Sequence, residues 1–216
     1  MKRFATIIVL LAAFGNLPTV LHAEPLRTEY PKPLMGSGPV PIRLPNLEPP
    51  RTYMPWKYDL PPGCTNLALG RLASANDLSV GYETLALITD GIKSAVEDEV
   101  VELSAGARWV QIYLGKECAI YAILVWRSCL LPCPYKAVVI QLSNDADFSK
   151  GVATIFNNDM DNLNGQGVGK DFTYVETNYG KLFDAKGAKA RYLRLWSNGN
   201  TKDKLNRYAE VEVWGK

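Results

Sequence analysis

From residue 108 to the end, apolar residues recur every second position in short runs. In the stretch 190 to 196, Leu193 and Leu195 share one face while Tyr192, Arg194 and Trp196 share the other. In the last run Ala209, Val211 and Val213 oppose Glu210, Glu212 and Trp214 in the same way. The pattern predicts strands at 109–114, 120–126, 136–142, 153–156, 173–176, 192–196 and 209–214, separated by Gly, Asn and Asp turn chemistry. No stretch keeps an apolar i, i+3, i+4, i+7 stripe for three turns. Seven or eight strands at this spacing predict an all-β sandwich or jelly roll over residues 64–216. One connection, FNNDMDNLNGQGVGKDF at 156–172, is longer than a hairpin needs.

Residues 24–63 behave differently. They hold 11 of the 14 prolines and show no sustained period, which predicts an extended, polyproline-like arm or linker. The rings Tyr53, Trp56 and Tyr58 in this arm are expected to lie against the following domain rather than project as a ligand site. Ahead of the arm, Lys2 and Arg3 precede an apolar run too short to span a bilayer, then Pro18 and Leu21-His22-Ala23. That is the form of a secretory signal peptide over residues 1–23, with an uncleaved anchor as the competing reading. It places the mature chain outside the cytoplasm, extracellular or periplasmic, with no membrane span.

Loss of Lys2 and Arg3 leaves 22 basic against 22 acidic residues, interspersed, so no concentrated basic stripe exists for nucleic acid. The single histidine, His22, leaves as well, and with it any imidazole base or His-ligated zinc. No GxSxG, P-loop or dinucleotide fingerprint occurs, and no pair of carboxylates stands in a recognisable acid/base pattern. The expected function is therefore not enzymatic. Four cysteines suit disulfides in an oxidising compartment. Cys129 with Cys133 would close a short loop worth roughly 2 kcal/mol, and Cys64 with Cys118 a long one worth roughly 4 kcal/mol. A zinc site is the competing reading of the same four.

Six blocks, NLALGRLASAN (66–76), ALITDG (86–91), RWVQIYLGKECAIYAILVW (108–126), YKAVVIQLSND (135–145), ARYLRLWSNGN (190–200) and YAEVEVWG (208–215), resemble in order the discoidin, or coagulation factor V/VIII C-type, domain. The resemblance implies a galactose-binding-like jelly roll of about eight antiparallel strands, and a module that binds carbohydrate or a glycoconjugate through loops at one end of the sandwich. It also implies a structural calcium held by Asp90 and Glu210, with carbonyls near Leu87 and Ala209; without the resemblance, Asp90 reads as a turn cap and Glu210 as a solvated strand residue. A second acidic patch, Asp159, Asp161 and Asn164 with Gly165, is a weaker candidate for a calcium loop. The expected ligand-binding residues are Trp126, Arg127, Tyr135, Asn198, Asn200 and Tyr208, all flanking the two loops at that end. Against this, Trp126 alternates with Leu124 as a core residue would, and Asn198-Gly199 is an ordinary turn signal. Relatives carry histidine where Arg127, Ser128 and Cys129 stand. A protein-interaction module using the proline-rich arm is the alternative function.

Overall fold

The computed structural model describes residues 22–32, 42–44, 46–49, 54–94, 100–128 and 133–216. Residues 1–21 of the expected signal peptide 1–23, Tyr53 and Cys129 lie outside them. Among the described residues the strands are β1 (Glu24–Pro25), β2 (Asp59–Leu60), β3 (Thr65–Asn66), β4 (Ala73–Ala75), β5 (Val101–Leu103), β6 (Arg108–Trp126), β7 (Val139–Ser143), β8 (Ala153–Asn157), β9 (Lys181–Ser197), β10 (Asn206–Tyr208) and β11 (Glu210–Gly215). Helix is confined to α1 (Tyr82–Leu85) and the 3-10 turn Ala86–Thr89 that follows it.

The long strands β6 and β9 explain how one sheet becomes two layers. They pair antiparallel from end to end, but the register slips between Tyr113 and Cys118 and again between Ile120 and Ala122. Gly115 (φ 88°), Lys186 (φ 53°) and Gly187 (φ 78°) take left-handed backbone at this corner. An extra residue on one strand bends and twists it, so the ribbon folds over. Its first half, Arg108 to Leu114 with Tyr192 to Ser197, carries β4 on one side and β7 then β8 on the other. Its second half, Cys118 to Trp126 with Lys181 to Ala190, carries β11 and then β3. Val110, Ile112, Leu193, Leu195, Ile140 and Leu142 from the first layer meet Ile123, Val125, Phe183, Val211 and Val213 from the second in one core. At roughly 1.5–3 kcal/mol for each large apolar side chain fully buried, this seam dominates the fold. The architecture is the galactose-binding-like β-sandwich that the resemblance implies.

The second layer is apolar on its outer side too. Ala122, Leu124, Trp126 and Ala209 are buried there under Leu26, Leu60, Tyr30, Trp56 and Tyr58 of the arm. The arm is anchored by its own β1–β2 pair. Tyr58 donates its hydroxyl to the Asp184 carboxylate (2.7 Å), and Thr28 donates to Glu212 (2.9 Å). The described parts of residues 24–63 are thus a third layer on the sandwich, not a free tether. Gly180 (φ 62°) is required where the sheet meets this layer, because a Cβ there would sit 2.8 Å from the Trp126 ring.

Two expectations need correction. Residues 173–176 do not form a strand. Tyr174 and Glu176 do point inward in alternation, but the backbone of Thr173 bonds to Asn46 and Glu48 of the arm instead of joining the sheet. The bridge between Cys64 and Cys118 is also absent, since both are free thiols, as is Cys133. Cys64 precedes Thr65, which pairs with Gly215 of β11, while Lys216 pairs in turn with Ala119. One strand therefore stands between the two cysteines. Two strand spacings are about 9–10 Å, beyond the Cα separation a disulfide allows.

Candidate functional site

Trp126, the last residue of β6, faces the arm, and Arg127, which follows the strand directly, turns into the core. Its guanidinium is buried, stacked between the rings of Tyr135 (4.5 Å) and Tyr208 (4.1 Å). It donates to Ser197 Oγ (3.2 Å) and to the Tyr208 hydroxyl (3.2 Å), and its Nε lies 3.6 Å from Glu176 Oε1. Burial pushes the Glu176 carboxyl up to about 7, with the Arg127 charge pulling it back. Both Glu176 carboxylate oxygens and the Tyr174 hydroxyl are buried without a hydrogen bond. This cluster plugs the end of the sandwich from within.

The expected ligand set consequently divides. Trp126, Arg127, Tyr135, Asn200 and Tyr208 are all buried, and only Asn198 is half-exposed. Trp126 donates its indole N–H to the Asn178 carbonyl (3.1 Å) beneath the arm. The Asn200 carbonyl oxygen accepts from the Lys202 and Asp203 amides, and its amide group donates to Asp203 Oδ1 and the Leu205 carbonyl. Asn206 donates to the Ser104 and Gly106 carbonyls. Asn200 and Asn206 hold the closing loop in shape and do not present their amides to solvent.

Of the expected calcium residues, Asp90 is exposed and its Oδ1 accepts from the Ile92 amide (2.7 Å), as a turn cap does, while the Gly91 amide beside it reaches Glu210. Glu210 at the start of β11 is fully buried, and its Oε2 accepts from the Gly91 amide (3.1 Å) while Oε1 has no partner. Burial pushes this carboxyl up to about 9; the Gly91 amide pulls it back, and the nearby Asp90 charge adds to the rise. A buried orphan carboxylate oxygen beside a second carboxylate fits a hard cation, although among the described residues no three acidic, Cys or His side chains cluster as a metal set. The second acidic patch does not fit. Both Asp159 carboxylate oxygens are taken by the Leu163 and Asn164 amides (2.8 Å each), and Asn164 donates to the Ala137 carbonyl. There the acid staples the long loop.

A cavity of about 390 Å³ opens between the arm and the segment leading into β9, at the same end of the sandwich. Trp56, Tyr179, Val175, Asn178, Glu48 and Lys181 line it. The Trp56 ring is fixed by its N–H, which donates to the Tyr179 (3.1 Å) and Gly180 (3.2 Å) carbonyls. Lys181 forms an ion pair with Glu48 and also lies 4.8 Å from the Tyr174 ring centroid. An apolar wall with one rigid ring and a few converging polar groups is the usual make-up of a small-ligand site, and the volume falls within the usual range. Trp56 was visible in sequence as part of the arm's aromatic cluster. The rest of the wall was not, because the arm has no period from which its docking could be read.

No protein-family model and no curated protein sequence matches the chain. Solved structures do. A family 89 glycoside hydrolase from Clostridium perfringens shares 18% identity with a TM-score of 0.51, over 70% of this chain and 14% of that chain. A fucose-binding module from Streptococcus pneumoniae shares 16% identity with a TM-score of 0.48, over 69% of this chain and 96% of that chain. Chitosan-binding module 1 of a chitosanase/glucanase from Paenibacillus sp. IK-5 shares 19% identity with a TM-score of 0.46, over 70% of this chain and 99% of that chain. The hydrolase likeness shows the sandwich fold. Among the described residues no helix is long and apolar enough to cross a membrane.

Proposed function

We propose that the protein is a secreted, non-catalytic carbohydrate-binding module whose saccharide site is the cavity between the arm and the start of β9. The observation that carries this reading is the Trp56 ring, held by two carbonyls on the wall of a cavity about 390 Å³ in volume, with Glu48, Lys181 and Asn178 around it. An aromatic face suits the C–H face of a pyranose, and polar groups at the margin suit its hydroxyls. Catalysis by a carboxylate pair would need a second acid facing the ligand beside Glu48, which is ion-paired with Lys181, whereas Glu176, between the wall residues Val175 and Thr177, turns into the core. A glycan array followed by calorimetry on the hits tests the reading. Trp56→Ala is expected to weaken binding of a short saccharide at least about tenfold, the loss of one stacking platform. Failure of the intact protein to bind any saccharide ends the proposal.

We further propose that Asp90 and Glu210 hold a structural calcium, completed by carbonyls near Leu87 and Ala209. The support is the unpaired, buried Glu210 oxygen next to Asp90. Such a cation supplies charge neutralisation, which would let Glu210 stay ionised within the fold. Excess chelator is expected to lower the melting midpoint by about 5 °C or more, from roughly 3 kcal/mol of linked binding energy. An unchanged midpoint removes the ion.

A further inference from the structure

The two outer sides of the sandwich are treated differently. The arm covers one, but the outer side of the first layer carries four aromatic rings in two cross-strand rows, Trp109 with Trp196 and Tyr113 with Tyr192, with Gln111 and Arg194 between them. Trp109, Trp196 and Tyr192 are half-buried, and Tyr113 is 39% exposed. The tyrosine rings are stacked at 5.0 Å and the tryptophans meet edge to face at 6.4 Å. Strand geometry sets the two rows about 13 Å apart.

The polar groups on this side narrow its occupant. Arg194 is the charge at its centre, and it is already engaged. It donates to Gln111 Oε1 (2.8 and 2.6 Å) and to the Ala146 carbonyl (3.1 Å), and it lies flat between the Trp109 (4.4 Å) and Phe148 (4.1 Å) rings. Little is left to attract an anion. The Trp109 indole N–H and the Tyr192 hydroxyl, by contrast, have no hydrogen bond among the described residues, and both reach solvent. An apolar partner, whether protein or acyl chain, would bury both unpaired at a cost of about 1–3 kcal/mol each. A ligand with apolar faces and hydroxyl edges satisfies the rings and the two polar tips together.

We propose that this side of the sandwich is a second binding surface, one that takes the interior of an uncharged polysaccharide chain laid across both aromatic rows. The proposal rests on the carbohydrate reading and divides the labour within it: the cavity takes a short saccharide or chain end, and the sheet takes the polymer. The test is affinity electrophoresis of the full chain through gels holding neutral or anionic polysaccharides, with calorimetry on short oligosaccharides in parallel. Tyr113→Ala with Tyr192→Ala should cut retardation by neutral polymer at least about tenfold, while short-saccharide binding stays unchanged and the variant still unfolds in one cooperative transition above the assay temperature. Tyr192→Phe, which keeps the ring, should lose only part of it. Retention unchanged in the double variant, lost through Trp56→Ala alone, or shown only with anionic polymers overturns the second surface and leaves the cavity reading standing. Loss of self-association in the double variant would instead make these rings an interface between copies. No binding to any saccharide overturns both readings.

Discussion

Arg127 shows how a residue at a strand end can be misread by its charge: expected at the surface, it is buried. Leu124 and Trp126 share one side of β6 and Val125 faces the core on the other, to which Arg127 turns just past the strand's end. The alternation was legible in the sequence. What was not legible was that two tyrosines and Glu176 would converge to accept a guanidinium there, since they come from segments far away in the chain. Arg127→Ala should therefore act on stability, costing about 3–5 kcal/mol by leaving Glu176 buried alone, or about 10 °C in a melt, with saccharide affinity preserved below the transition. The same cluster sets a pH dependence. Glu176 ionises in the unfolded chain above its ordinary 4.5 but keeps its proton in the fold up to about 7. Stability is then fullest below about 4.5, falls as pH rises towards 7 and levels off above it. Denaturant titrations across that window should show the fall, and Glu176→Gln should flatten it.

At the scale of elements, the legible parts are those with a clean period. The sequence run at 120–126 is apolar at nearly every position, and a strand of that kind is covered on both sides; here the second cover is the arm. The arm's proline-rich composition concealed where it docks. The first half of β9, KLFDAKGAKA, went unread as a strand because Lys, Asp and Gly interrupt the alternation where the ribbon turns its corner. The arm's contribution is measurable. Leu60 is 3% exposed, packed against Leu124 and Trp126, so Leu60→Ala should cost about 2–4 kcal/mol in chemical denaturation. A cost below about 0.5 kcal/mol would mean that the arm is not part of the folded unit.

For the molecule as a whole, six ordered blocks of sequence carried the fold, and the strand spacing agreed with them independently. The two proposed surfaces were not legible, because both are built from residues whose neighbours are decided by tertiary packing: Trp56 meets Tyr179, and Trp109 meets Trp196. The Cys64–Cys118 expectation failed for a reason of the same kind, since β11 inserts between two cysteines that sequence distance alone would let meet.

The ribbon of β6 and β9 also governs how the protein can come apart. Two layers joined only by loops could open one after the other, each with its own free energy, whereas here the paired amides on both sides of the corner belong to one ribbon shared by both layers. Deuterium uptake should accordingly show Ile112, Ile123, Phe183 and Leu193 exchanging as one foldon, on a single timescale set by global opening.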